Sequence, residues 1–262
     1  AIPGTYDPAA EAFTTADAQP ARERAGQRGP DIDPSPEQVR IFLEPAMRGR
    51  GLGTIILQEI IALARQADLQ YLLAEVVLDQ TPFYAESGGQ TGDLGWFRGP
   101  AARFRVTETV KAGTDLFVHR GFVETGELTV GERVEAAVDL ERRRATAGNH
   151  TATHLLHAAL REVLGDHVKQ AGSLVSADRL RFDFSHFTQV SLEKIEEIER
   201  LVNRHIRDNL PLQTQVMSKE EAMKTGAMAI FEERYGRRVR LVKVGDGVSM
   251  ELCGGTHTTR TG

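Results

Sequence analysis

The sequence predicts an α+β protein, and three observations carry the prediction. Residues from about 75 to 142 fall into short β segments between Gly and Asp turns. Two longer stretches, "GNHTATHLLHAALREVLG" and "SLEKIEEIERLVNRHIRDNL", place apolar residues at helical spacing. The tail then alternates a short helix with strands. Length allows one large domain or two modest ones, and 40% hydrophobic with 26% charged residues is a globular balance among 262 residues.

Taken in order, residues 1–38 carry Pro, Gly, Ala and charge without periodicity and read as a flexible polar arm. Residues 39–74 read as strand, loop and helix: "VRIFL" is a short apolar strand, "RGRGLGT" a glycine loop, and "IILQEIIALARQA" a helix whose entry would expose backbone N–H groups. "YLLAEVVLD" is a second strand candidate, and residues 75–142 read as a small β-barrel-like subdomain with "ARFRVTETV", "DLFVHR" and "RVEAAVDL" as short β segments. Residues 143–262 form a mixed α/β unit. Its first helix stops at Gly165, "GSLVSADRLRFDF" is a hairpin, and the second helix ends before Pro211. "KEEAMKTG" is a short helix, and "RRVRLVKV" and "VSMEL" are strands.

Composition excludes some classes of function. A single cysteine forms no internal disulfide, no apolar run approaches a membrane span, and the first residues lack a basic leader and an apolar stretch. A cytoplasmic location without membrane contact is expected. The net charge of −5 does not describe a protein coated in positive charge, although "ERRRATAGNH" and "ERYGRRVR" are local basic patches.

Chemistry concentrates at two places. His150 and His154 stand at i and i+4 on the first helix, so both imidazoles project from one face. Cys253 and His257 flank two glycines that let the backbone turn tightly. Each pair alone arises readily by chance, and a packed or solvated helix face, or a buried small thiol, stays open as the alternative. Together they form a Cys/His set whose softness and number suit Zn2+. His157 is expected to pack or to support the ligands rather than bind.

Three stretches carry a family resemblance: "TPFYAESGGQTGDLG", "NHTATHLLHAALREVLGDHVKQAGSLVSADRLRFDFSHF" and "GAMAIFEERYGRRVRLVKVGDGVSMELCGGTH". From about Glu75 to Gly262 the chain resembles the editing region of bacterial alanyl-tRNA synthetases. It is similar as well to the free-standing alanyl-tRNA editing proteins and, more distantly, to the editing domain of threonyl-tRNA synthetase. The resemblance implies that residues 143–262 are a zinc-binding editing domain with His150, His154, Cys253 and His257 as ligands. It implies that Thr153 and Gln170 belong to the substrate pocket, and that Ser87, Gly88, Gly89 and Gln90 are the glycine motif at its entrance. From the residues alone, Gly88 and Gly89 are a turn.

The implied activity is hydrolysis of the ester joining serine or glycine to the acceptor end of tRNA(Ala). An alanine pocket cannot reject neighbours that differ by one methyl or one hydroxyl through binding alone, which calls for a second sieve. Thr153 would hold the serine hydroxyl, and Gln170 would orient water or the carbonyl. Arg142, Arg143, Arg144 and Lys169 would meet acceptor-stem phosphates, with a solvated charged face as the alternative. A tRNA-binding fragment with a purely structural zinc is the competing reading.

Upstream, "VRIFLEPAMRGRGLGTIILQEIIALARQADLQYLLAEV" resembles the acetyl-CoA-binding core of GNAT acetyltransferases, which implies that Arg48, Gly51 and Gly53 hold the pyrophosphate of acetyl-CoA. The first half of that fold has no counterpart in residues 1–38, so an active acetyltransferase is not expected. No ligase domain is recognisable in residues 1–74, and the chain reads as a join of two families near Ala74 to Val77.

Overall fold

The computed structural model describes residues 74–113, 116–228 and 237–262, which divide into two compact units. The flexible arm, nearly all of the strand-loop-helix segment, and Arg48, Gly51 and Gly53 lie outside the described residues. Among those described, no helix is long and apolar enough to cross a membrane.

The first unit takes residues 74–81, 96–108 and 112–136 of the described chain. It is organised on a five-stranded sheet in the order β1-β4-β3-β2-β5: β1 (Ala74–Val76), β2 (Gly95–Arg98), β3 (Arg103–Ala112), β4 (Leu116–Thr125) and β5 (Glu135–Val138). Alternation decides which face is covered. Phe104 and Val106 on β3 are fully buried while Arg103 is exposed. Phe97 stacks on Phe104 at 5.6 Å and meets the edge of the His119 ring at 5.0 Å. On the other face, the Arg105 guanidinium lies 4.2 Å from the centroid of the Trp96 ring.

The barrel-like expectation is corrected here. Closure requires the first and last strands to pair, whereas among the described residues β1 neighbours only β4 and β5 only β2. The result is an open antiparallel sheet.

The second unit takes residues 82–95, 109–111 and 137–262. Helix α1 (Leu140–Leu164) begins where Asp139 accepts a hydrogen bond from Arg142 N at 3.1 Å, and Gly165 follows it at φ 113°. The hairpin β6 (Gln170–Val175) and β7 (Leu180–Phe184) comes next. Helix α2 (Leu192–Arg207) is capped by Ser191, carries Glu193 in its first turn and Arg204, His205 and Arg207 in its last, and so matches its own dipole. Its Ile198 and Leu201 pack with Ala159, Leu160 and Val168, which fixes α1 against α2.

A three-stranded antiparallel sheet completes the unit in the order β10-β9-β8, formed by β8 (Leu212–Ser218), β9 (Arg238–Val244) and β10 (Ser249–Leu252). Helix α3 (Lys219–Lys224) starts from a capping box made by Ser218 and Glu221. Val239 and Leu241 of β9 and Leu252 of β10 form a second apolar cluster with Ala222 and Ala227. This sheet delivers the chain to Cys253.

Candidate metal centre

Helix periodicity places His150 and His154 one above the other on the buried face of α1, 7% and 4% exposed, with ring centroids 5.4 Å apart. Cys253 leaves the end of β10 with its N–H bonded to Arg240 O at 3.0 Å. The loop from Cys253 to His257 then folds over His150. A Cβ on Gly255 would stand 2.0 Å from His150 Cε1 and 2.7 Å from Gln90 Oε1, so only glycine permits this approach. The two glycines were expected to let the backbone turn tightly, and neither Gly254 nor Gly255 does so through a positive φ. Close approach is the actual requirement, and at Gly255 alone. Arg240 Nη1 holds the loop from the other side by donating to Gly255 O.

The four predicted ligands converge. One donor atom from each of His150, His154, Cys253 and His257 lies within 4.8 Å of all the others. Cys253 Sγ is 3.4 Å from both His150 Nε2 and His257 Nε2. The remaining ring nitrogens face outward to oxygen. His150 Nδ1 donates to Gln90 Oε1 at 2.6 Å, and His257 Nδ1 shares a hydrogen bond with Thr151 Oγ1 at 3.2 Å. Gln90 Oε1 also accepts from Thr256 N at 2.8 Å, while its Nε2 donates to Thr256 Oγ1 at 2.9 Å. That pair fixes the orientation of the amide and, through it, the His150 tautomer whose Nε2 lone pair turns toward the thiol.

Glu251, 3% exposed, serves two rings. Its Oε1 is 3.2 Å from His157 Nδ1 and its Oε2 is 3.4 Å from His154 Nδ1, the latter within ion-pair reach but too poorly aligned for a hydrogen bond. Burial works against the carboxylate, yet the flanking His154 and His157 hold it below its ordinary range. Burial draws His150 down to about 3, helped by its neighbour His154. His257 is drawn well below its usual value by burial and the two other imidazoles, and His154 falls mainly through burial. Three neutral imidazoles are what metal binding needs. Burial pushes the Cys253 thiol up to about 11, so a metal arriving there must displace its proton.

The other candidates are placed as follows. Thr153 is buried on α1, and its hydroxyl donates to Asn149 O at 2.8 Å. Gln170 opens β6 opposite Phe184, half-buried. Ser87 and Gln90 close the glycine motif into a turn through reciprocal backbone bonds of 3.1 and 3.2 Å, with Gly88 and Gly89 at positive φ. Arg143 is spoken for: its Nε donates to Asp93 at 3.0 and 3.1 Å, and its Nη2 to Pro82 O. Arg142, Arg144 and Lys169 are exposed. Gln90, Thr151 and Glu251 were not read as partners of the ligands. The "ELC" spacing was the available signal for Glu251, since residues two apart share a face in extended chain.

Residues 57–142 match the family model of class II (A) tRNA synthetases, and residues 239–262 that of the second additional domain of threonyl and alanyl tRNA synthetases. The first match starts at residue 57, so synthetase-like sequence reaches further upstream than the expected limit near Glu75. The alanine–tRNA ligase of Methylococcus capsulatus is 58% identical over 187 residues, which cover 71% of this chain and 22% of that relative. That of Pseudomonas fluorescens is 52% identical over 209 residues, 78% of this chain and 24% of the relative. That of Halorhodospira halophila is 58% identical over 187 residues, 71% and 21%. The chain therefore spans between a fifth and a quarter of the length of these curated relatives. Over most of its own length it is similar to alanyl-tRNA synthetases, in a stretch that ends with the second additional domain named for the threonyl and alanyl enzymes.

Proposed function

We propose that the chain is the editing portion of an alanyl-tRNA synthetase, hydrolysing seryl- or glycyl-tRNA(Ala) at a site organised by Zn2+. The observation that carries the reading is the convergence of His150, His154, Cys253 and His257, with the outer nitrogens of His150 and His257 bonded to oxygen. The donor set fits the ion. Bond lengths near 2.3 Å to sulfur and 2.0–2.1 Å to nitrogen in a tetrahedron place S and N about 3.5 Å apart, and the two S···N separations here are 3.4 Å.

When bound, zinc would hold the four side chains in one geometry and offer positive charge to the ester carbonyl. The chain's own residues would do the rest. The Thr153 hydroxyl, already donating to Asn149 O, keeps its lone pairs to accept a hydrogen bond from the serine hydroxyl. Gln170 would orient the attacking water through its amide. Partner and substrate are thus the acceptor end of tRNA(Ala) bearing the wrong amino acid.

Four protein donors also fill a tetrahedron, which favours a second reading: a tRNA-binding fragment whose zinc is structural. Release of serine from seryl-tRNA(Ala), measured with metal content on the chain and on Cys253→Ala, separates the two. Turnover that disappears with the metal supports editing. Tight tRNA binding without serine release supports the fragment reading and defeats the deacylase.

A further inference from the structure

The α1–β6 connection and the segment after β7 bring three aromatic rings together. His167 and His186 lie edge to edge in nearly one plane, with centroids 5.0 Å and planes 20° apart, and Phe187 stacks on the His167 ring at 4.5 Å and 26°. The two imidazoles are joined by a hydrogen bond between His167 Nε2 and His186 Nδ1 at 2.8 Å. The sheet builds this locally: Ser185 N donates to Lys169 O at 3.1 Å, which continues the hairpin ladder one step past Gln170 opposite Phe184 and sets residues 167 and 187 face to face. Val168, fully buried beneath, anchors the connection.

Phe187 is nonetheless 83% exposed. It is held by a neighbouring ring instead of a core, and its rim is polar: Lys169, Ser185, Thr188 and Gln189 are exposed, and Arg161 is paired with Asp166 at 2.6 Å. A patch this small and this polar at its border does not suit an apolar protein surface. It suits one flat ring carried on an anionic chain, with Lys169 beside it for a phosphate. The strand gives the patch a direction. β6 runs from Gln170 to Val175, about 17 Å at the usual rise, and Val175 is bonded at its N–H to Gly89 O and at its carbonyl to Thr91 N, against the turn that carries Gln90. Gln90 is the partner of His150.

We infer that His167, His186 and Phe187 form a stacking platform for an unpaired base in the single-stranded 3′ tail of an RNA, with Lys169 taking an adjacent phosphate. The inference rests on the reading that a tRNA acceptor end is the partner, and it adds where the tail lies on its way to the metal centre.

The test is equilibrium binding of two uncharged, labelled RNA hairpins, one with a short unpaired 3′ tail and one blunt, to the full chain loaded with zinc. The tailed hairpin binds more tightly, and Phe187→Ala weakens it by about 5- to 100-fold while leaving the blunt hairpin unchanged. Phe187→Trp keeps the tail preference, Phe187→Leu loses it, and Lys169→Gln lowers the salt slope by about one. Thermal melts of the Phe187 variants should match the parent, since the side chain is exposed. Equal binding of tailed and blunt hairpins, no loss in Phe187→Ala, or full retention in Phe187→Leu would each overturn the platform. Serine release plays no part in this measurement, so a failed deacylase leaves the platform standing, and a failed platform leaves the deacylase standing.

Discussion

The Gln90 carboxamide, 1% exposed, accepts from His150 Nδ1 and Thr256 N and donates to Thr256 Oγ1. Gln90→Ala leaves a ring N–H and a backbone N–H without their acceptor, and zinc affinity should fall about 10- to 100-fold in competition with a chelating dye. An unchanged affinity would mean that His150 orients itself without help. His119 offers a separate test in the first unit. It is fully buried, its Nδ1 lies 3.0 Å from Val76 O, and burial lowers its pKa despite that bond. The folded chain therefore refuses a proton that the unfolded chain accepts near 6.5. Its contribution is present above that pH and is lost as pH falls below it. Zinc-loaded wild type should lose more melting temperature between pH 7.5 and 5.5 than His119→Gln; parallel losses would remove His119 as the cause. The two candidate pairs were legible because each repeats a local spacing. Their supports were not, since Gln90 meets His150 across 60 residues and Glu251 meets His157 across 94, and no local pattern encodes such pairings.

Helices were the most readable elements, though α1 begins at Leu140, eight residues before the stretch whose apolar spacing announced it. Its first turns carry "LERRR", which shows no apolar stripe; the start is set by the Asp139 cap instead. Asp139→Ala should cost about 1 kcal/mol, seen as a drop of about 2–4 °C in the melting of a unit this size, with Asp139→Asn close to the parent. No drop would show that tertiary packing alone fixes the helix start. Strand β8 escaped sequence reading for a related reason. Its residues Gln213 to Val216 are all exposed, so a strand at the edge of the described sheet, laddered to β9, leaves no buried alternation in the sequence. The open five-stranded sheet was misjudged because closure is a property of strand pairing and order, which alternation within each strand does not reveal.

At the scale of the molecule, all four candidate metal donors and Gln90 fall in the second unit. Removal of zinc should therefore raise amide hydrogen exchange in α1, in residues 82–95 and around Cys253 to His257, and leave residues 103–108 and 116–125 as they were. Equal loosening of both sets would show that the units do not respond separately. The donors also divide along the chain into two pairs, with Cys253 meeting His150 across 103 residues. An ion that grips both pairs ties the polypeptide into a ring, and a ring of that size restricts the unfolded ensemble much as a covalent bridge would, by about 4–5 kcal/mol on the chain-entropy scale. During synthesis that ring cannot close until the second pair has been made. A growing chain holds only the two histidines of α1 until residues 253 to 257 have followed.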